Sequence, residues 1–159
     1  MSGRVLVDVV RERVLEPVGM SDSGYFRFDE PRPDLAIGYC REGDGWRSNI
    51  YDIPVVGGPD GGAFATALDI DRCLRAIASG SLLGPDLRAA MLTGHVPVGD
   101  GVAMGYGVFL RPDGSFGHGG GDPGSRPTRD TSPPPAPRPC CCATPTRASV
   151  TRGISCSVR

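Results

Sequence analysis

The chain has 159 residues, 39% hydrophobic and 22% charged, which suits one soluble globular domain of ordinary size. All 17 basic residues are arginine, so no mechanism that needs a lysine amine as general base, Schiff-base former or phosphate ligand can run on this chain's own side chains. The formal charge of −1 is a cancellation: residues 1–125 hold 11 Arg against 17 acidic residues, a net of −6, and residues 126–159 hold 6 Arg against Asp130, a net of +5. An acidic body is the wrong sign for a nucleic-acid partner.

Val5, Leu6, Val9, Val10 and Val14 recur at helical spacing with Asp8, Arg11 and Glu12 between them, predicting an amphipathic helix over residues 4–15 that Pro17 ends. The same charges interrupt any signal-peptide core. No stretch approaches the roughly 18 apolar residues of a membrane span. As written, the chain reads as cytoplasmic; a parent enzyme with its own leader would be exported.

Residues 35–40 and 46–51 flank Glu42-Gly43-Asp44-Gly45, a hairpin pattern, and Trp46 reads as its packing residue. Gly57-Gly58-Pro59-Asp60-Gly61-Gly62 reads as a loop. Asp69 is the expected N-cap of a helix over 69–79 with Ile70, Cys73, Leu74 and Ile77 on one face, and Asp71 another helix-start acid. Pro85 starts a shorter helix through Leu92, after which His95 falls on the surface. Residues 102–110 read as one apolar strand, and Pro112-Asp113-Gly114 turns it back into Ser115-Phe116-Gly117-His118. The fold class expected is α+β: part of an antiparallel sheet flanked by the helices at 4–15 and 69–79, over residues 1–124.

Residues 125–159 form the second region, a Pro-, Arg- and Cys-rich tail expected to be disordered for want of apolar surface to bury. Cys40 and Cys73 stand alone in the body, and Cys140, Cys141, Cys142 and Cys156 in the tail, which is no disulfide framework. Adjacent cysteines also fit poorly with structural zinc spacing, so no metal or cofactor is expected. A small metal protein built on the cysteine run is a third reading, behind those below.

The chemistry concentrates in Gly117-His118-Gly119-Gly120-Gly121. Missing side chains let a substrate backbone lie against the chain, and the freed N–H groups can serve as half of an oxyanion hole. A flexible turn carrying a surface histidine fits the same spacing. The pattern Gly119-x-Gly121-x-x-Gly124 matches a dinucleotide fingerprint in form, yet it leads into prolines where that fingerprint must open a helix. Ser125 lies near His118, but no nucleophile elbow surrounds it, and two histidines leave little for an independent Ser-His-Asp triad.

In order along the chain stand Val14-Leu15-Glu16-Pro17-Val18-Gly19-Met20, Ala36-Ile37-Gly38-Tyr39, Gly61-Gly62-Ala63-Phe64-Ala65-Thr66-Ala67-Leu68-Asp69, Gly105-Tyr106-Gly107 and His118-Gly119-Gly120. This series resembles the β-lactamase-related serine hydrolases, which include class C β-lactamases, DD-peptidases and carboxylesterases. The resemblance implies an acyl-enzyme mechanism on a small-molecule acyl substrate, with His118-Gly119-Gly120 as the triplet on the strand beside the nucleophile. His118, Gly119 and Gly120 would bind substrate, His118 would assist proton transfer, and the Gly121 N–H would be an oxyanion donor. The family's other two motifs, Ser-x-x-Lys and Tyr-x-Asn or Tyr-x-Ser, do not occur. They precede the first helix in that family, so the expectation is a C-terminal fragment with a reading-frame shift after about Ser125, inactive alone and poorly soluble. A non-catalytic binding or interaction module is the alternative. Oligomeric state is not legible.

Overall fold

The computed structural model describes residues 3–30, 32–124, 151–152 and 156–158, the last two stretches as backbone. The first helix runs further than Pro17 was expected to allow. Leu6–Val10 is α-helical (α1), Arg11–Leu15 is wound as a π-turn, and Glu16–Val18 returns to α-helix (α2). Proline lacks an N–H and crowds the carbonyl four residues back; the wider π-winding just before it relieves that conflict. Gly19, at φ 76°, then ends the helix, with Met20 N–H donating to the Leu15 carbonyl (2.8 Å) and Gly19 N–H to that of Glu16 (3.1 Å). Those paired bonds are a Schellman cap, which needs a left-handed residue and finds glycine there.

The first hairpin is present but displaced. Strand β1 (Tyr39–Glu42) pairs antiparallel with β2 (Gly45–Ser48), Glu42 opposite Gly45, around Gly43 at φ 58°. Asn49–Tyr51, expected as strand, is a 3₁₀ turn capped by the Ser48 hydroxyl. Trp46 is 67% exposed on this hairpin and pairs with the Arg41 guanidinium, 5.8 Å from its ring.

Helix α3 (Ala67–Ser79) starts two residues before the expected boundary because Thr66, not Asp69, is the N-cap: the Thr66 hydroxyl accepts from Asp69 N–H at 3.1 Å. Helix α4 (Pro85–Met91) begins at its proline. On the other side of α4 the chain forms a sheet finer than the single strand anticipated over 102–110. Strand β4 (Val96–Gly99) was not expected at all; it pairs with β5 (Val102–Met104) across Asp100 and Gly101, both at positive φ. Between β5 and β6 (Phe109–Leu110) the chain reverses at Gly105-Tyr106-Gly107, where a Cβ on Gly105 would lie 2.2 Å from the Met91 carbonyl oxygen. Strand β7 (Phe116–His118) returns alongside β6 as the turn chemistry of residues 112–114 requires.

The tail is not wholly without regular structure. Thr151–Arg152 (β8) pairs with β3 (Phe64–Ala65), and Cys156–Val158 (β9) pairs with β7, giving an antiparallel sheet in the order β4-β5-β6-β7-β9. Residues 125–150, including Cys140, Cys141, Cys142 and Ser125, lie outside the described residues.

Two apolar clusters hold the body. Leu74 and Ile77 of α3 pack against Val108, just before β6, and Phe116 of β7, with Ile70, Cys73 and Leu110 around them. Each such side chain contributes about 1.5–3 kcal/mol on burial. Phe28, Ile53 and Phe64 form the second cluster, Phe28 stacked on Phe64 at 5.9 Å. α3 therefore packs on the sheet as expected, whereas the first helix has no buried residue and α2 meets α3 instead. No helix among the described residues is long and apolar enough to cross a membrane.

Candidate active-site cleft

Strand β7 has neighbours on both sides, so its position is held by two ladders. Phe116 and Gly117 are buried and His118 is exposed at the strand end. The His118 ring is not loose: its Nδ1 lies 2.9 Å from the Gly107 carbonyl oxygen, and its face stacks on Phe109, centroids 6.1 Å apart and 25° from parallel. Phe109 lies beside Gly117 in the register, which is why its ring reaches the histidine. Gly107, at φ 73°, makes the reversal that turns its carbonyl toward β7.

Past β7, Gly120, Gly121 and Asp122 line a cleft of about 300 Å³ together with His118. The opposite wall is residues 57–62, where Gly58 and Gly61 bridge in both directions (2.8 and 3.2 Å) and put Pro59 and Asp60 at the tip. A Cβ on Gly57 would lie 2.5 Å from the Gly62 carbonyl, so this loop closes on itself only as glycine. Ala65 and Ile70 also line the cleft, next to the α3 start.

The far end of the β7 extension is pinned from the hairpin side. Asn49, 1% exposed, donates its Nδ2–H to the Pro123 carbonyl at 2.7 Å. Gly38 and Gly124 sit backbone to backbone: a Cβ on Gly38 would lie 2.7 Å from the Gly124 oxygen, and one on Gly124 2.8 Å from Tyr39 N. The extension is therefore fixed at both ends, by β7 and by Asn49, with the cleft-facing glycines between.

Of the residues singled out from sequence, His118, Gly120 and Gly121 come together in this cleft. Gly119 is exposed and is not part of its lining. The others are elsewhere. The His95 Nε2 is 2.8 Å from the Ala90 carbonyl and its ring packs on Tyr106 at 4.4 Å. Asp71 pairs with Arg75 at 2.8 Å. Asp69 has no exposed surface and is a structural hub, accepting from Asp22 N–H and the Ser23 hydroxyl. The Cys73 thiol is pushed up from its ordinary pKa by burial, the opposite of what a nucleophile requires. Residues 119–124 contain no helix, which removes the dinucleotide reading. Among the described residues no three His, Cys, Asp or Glu are placed to share a metal ion.

Sequence reasoning missed the opposite wall, because residues 57–62 carry no chemical group except Asp60. It also missed Asn49, whose role depends on a contact 74 residues away. The glycine pairs around Pro59-Asp60 were the available signal for the wall.

Residues 1–132 match the Beta-lactamase family. The chain belongs to that family. Among solved structures, it is similar to a penicillin-binding protein from Bacillus halodurans: 38% identical, TM-score 0.73, covering 77% of this chain and 40% of that one. It is similar also to an octameric penicillin-binding protein homologue from Pyrococcus abyssi, 27% identical with TM-score 0.62, over 76% of this chain and 29% of that one. A D-stereospecific amidohydrolase from Streptomyces sp., 21% identical with TM-score 0.61, shares the fold over 76% of this chain and 38% of its own. A human beta-lactamase-like protein is 35% identical over 86 residues, 52% of this chain and 17% of that protein. The chain thus spans less than half the length of each of these proteins.

Proposed function

We propose that this chain supplies one wall of the active site of a serine acyl hydrolase, the wall that receives the carbonyl oxygen. The observation that carries the reading is the convergence of His118, Gly120 and Gly121 on one cleft, in a member of the Beta-lactamase family. In the reaction a serine Oγ bonds to the carbonyl carbon, the carbonyl π electrons move onto oxygen, and the collapse expels the amine or alcohol; water then releases the acyl group. Gly121 contributes its N–H to the oxygen that gains charge. Gly120 lets the substrate backbone approach, and His118 stands where it can contact substrate or take part in proton transfer. A preorganised donor of this kind is worth about 10²–10³ in kcat.

The 159 residues hold no lysine and therefore no Ser-x-x-Lys, so on this reading that motif is supplied by other polypeptide, and the isolated chain is expected to be inactive. Nitrocefin or chromogenic-ester hydrolysis by the purified chain, abolished in His118→Ala, would overturn this. The positive test exchanges residues 3–124 for the matching part of the Bacillus halodurans protein. The expected chimera is acylated by a fluorescent penicillin or a fluorophosphonate, and Gly121→Pro, which removes the N–H, slows acylation by about 10²–10³. Equal acylation of the two chimeras sinks the oxyanion role. The lack of lysine also favours a second reading, a non-catalytic binding module on the same cleft; a chimera that binds ligand but is never acylated would support it.

A further inference from the structure

The cleft changes character from mouth to floor. Its lining side chains with polar atoms are Asp60, His118 and Asp122, of which Asp60 and His118 are exposed. Ala65 is 7% exposed and Ile70 half-buried, and both side chains are hydrocarbon. Asp60 and His118 therefore stand at the mouth, and Ala65 and Ile70 form the floor. That floor has little room to recede. Ala65 lies in β3 next to Phe64, the centre of the second apolar cluster. Ile70, in the first turn of α3, donates its N–H to the Thr66 carbonyl at 3.1 Å and also packs against the cluster of Leu74 and Ile77. The Thr66 cap and the buried Asp69 carboxylate hold that turn where it is. At about 300 Å³ the cleft is at the small end of ligand sites, so a few carbons more or less at the floor decide what fits.

We infer that Ala65 and Ile70 set the specificity of the cleft, which takes an amide or ester carrying a small apolar side group and sorts such ligands by the size of that group. A ligand carbonyl lies along Gly120 and Gly121, and its side group displaces water from the hydrocarbon floor. A polar atom in the side group finds no hydrogen-bonding side chain at Ala65 or Ile70 and loses water without replacement. Shortening Ile70 deepens the floor, and lengthening Ala65 raises it, so the two positions shift the size preference in opposite directions. The amide or ester class rests on the hydrolase reading above; the preference for size and polarity does not.

The test uses the full ¹⁵N-labelled chain and reads the Gly120 and Gly121 amide signals during titration with three amides. These are cyclohexanecarboxamide, tetrahydropyran-4-carboxamide, which has the same shape with one CH₂ replaced by oxygen, and trans-4-methylcyclohexanecarboxamide, which is longer by one methyl. Cyclohexanecarboxamide is expected to move the signals saturably and to bind roughly two- to fourfold tighter than the tetrahydropyran, up to the full worth of one buried CH₂. Ile70→Ala should shift the ratio of the two cyclohexane Kd values toward the methylated compound by a similar factor, and Ala65→Val should shift it the other way. A ratio taken within one protein is unaffected by a partly unfolded population, because both affinities fall together. No saturable response to cyclohexanecarboxamide, equal affinity for the tetrahydropyran, or a ratio that moves in the same direction or not at all in the two variants overturns the inference. If the size and polarity preferences hold while the chimera is never acylated, the hydrolase reading fails and the ligand preference stands; if the chimera is acylated while the ratio stays fixed, the reverse holds.

Discussion

Asp69 is fully buried, and three donors meet its carboxylate: Asp22 N–H at 3.0 Å, the Ser23 hydroxyl at 2.7 Å and Arg72 at 2.5 Å. It ties the start of α3 to the connection that follows the first helix, 46 residues away at Ser23. Asp69→Ala leaves the buried Ser23 hydroxyl and the half-buried Asp22 N–H without this acceptor, at up to about 1–3 kcal/mol each. Arg72 is 49% exposed and rehydrates, so it adds little. The expected loss is about 2–5 kcal/mol in a urea titration, with Ser23→Ala costing about 1 kcal/mol. A loss below about 1 kcal/mol for Asp69→Ala would mean that the carboxylate network does not anchor α3. The sequence placed Asp69 correctly at a helix start, because acids favour that end of the dipole. Its burial was not legible: nothing local to Asp69 announces that Asp22 and Ser23 fold over it.

At the scale of elements, what could be read from sequence was what short-range chemistry decides. The Gly43-Asp44 hairpin, the Pro85 helix start and the return through residues 112–114 all follow from the φ preferences of Gly and Pro. The β4–β5 hairpin carried an equally local signal, Asp100-Gly101 with both residues at positive φ, hidden because the apolar run from 102 to 110 looked like one strand. What no local pattern could supply is the fixing of the β7 extension by Asn49. Asn49→Ala removes the donor to the Pro123 carbonyl and is expected to cost about 1–3 kcal/mol. Its informative readout is local: amide hydrogen exchange at Gly120, Gly121 and Asp122 should rise well above the change measured in α3. Exchange that rises equally in both places would assign Asn49 to general stability and not to holding the cleft wall.

Across the whole molecule, the described residues pair an acidic, arginine-balanced body with a sheet whose outer strand is unprotected. All four residues of β4 are exposed, Val96 and Val98 at 58% and 54%, and β4 is the edge of the five-stranded sheet. An edge that offers unpaired backbone groups beside two valines is a template for pairing with another chain. The register shift between Pro97 and Gly99 twists the strand but leaves Val98 on the surface. If the chain associates through a sheet edge, β4 is the edge expected to carry it. Val98→Lys places a charge on that edge and touches no buried group, so the urea midpoint should stay within about 0.5 kcal/mol of the parent. Light scattering against concentration should show less association for Val98→Lys than for the parent, whereas Leu87→Lys, at a still more exposed apolar residue on α4, should leave association as it was. Equal relief from both substitutions would trace association to apolar surface in general and remove β4 as its cause.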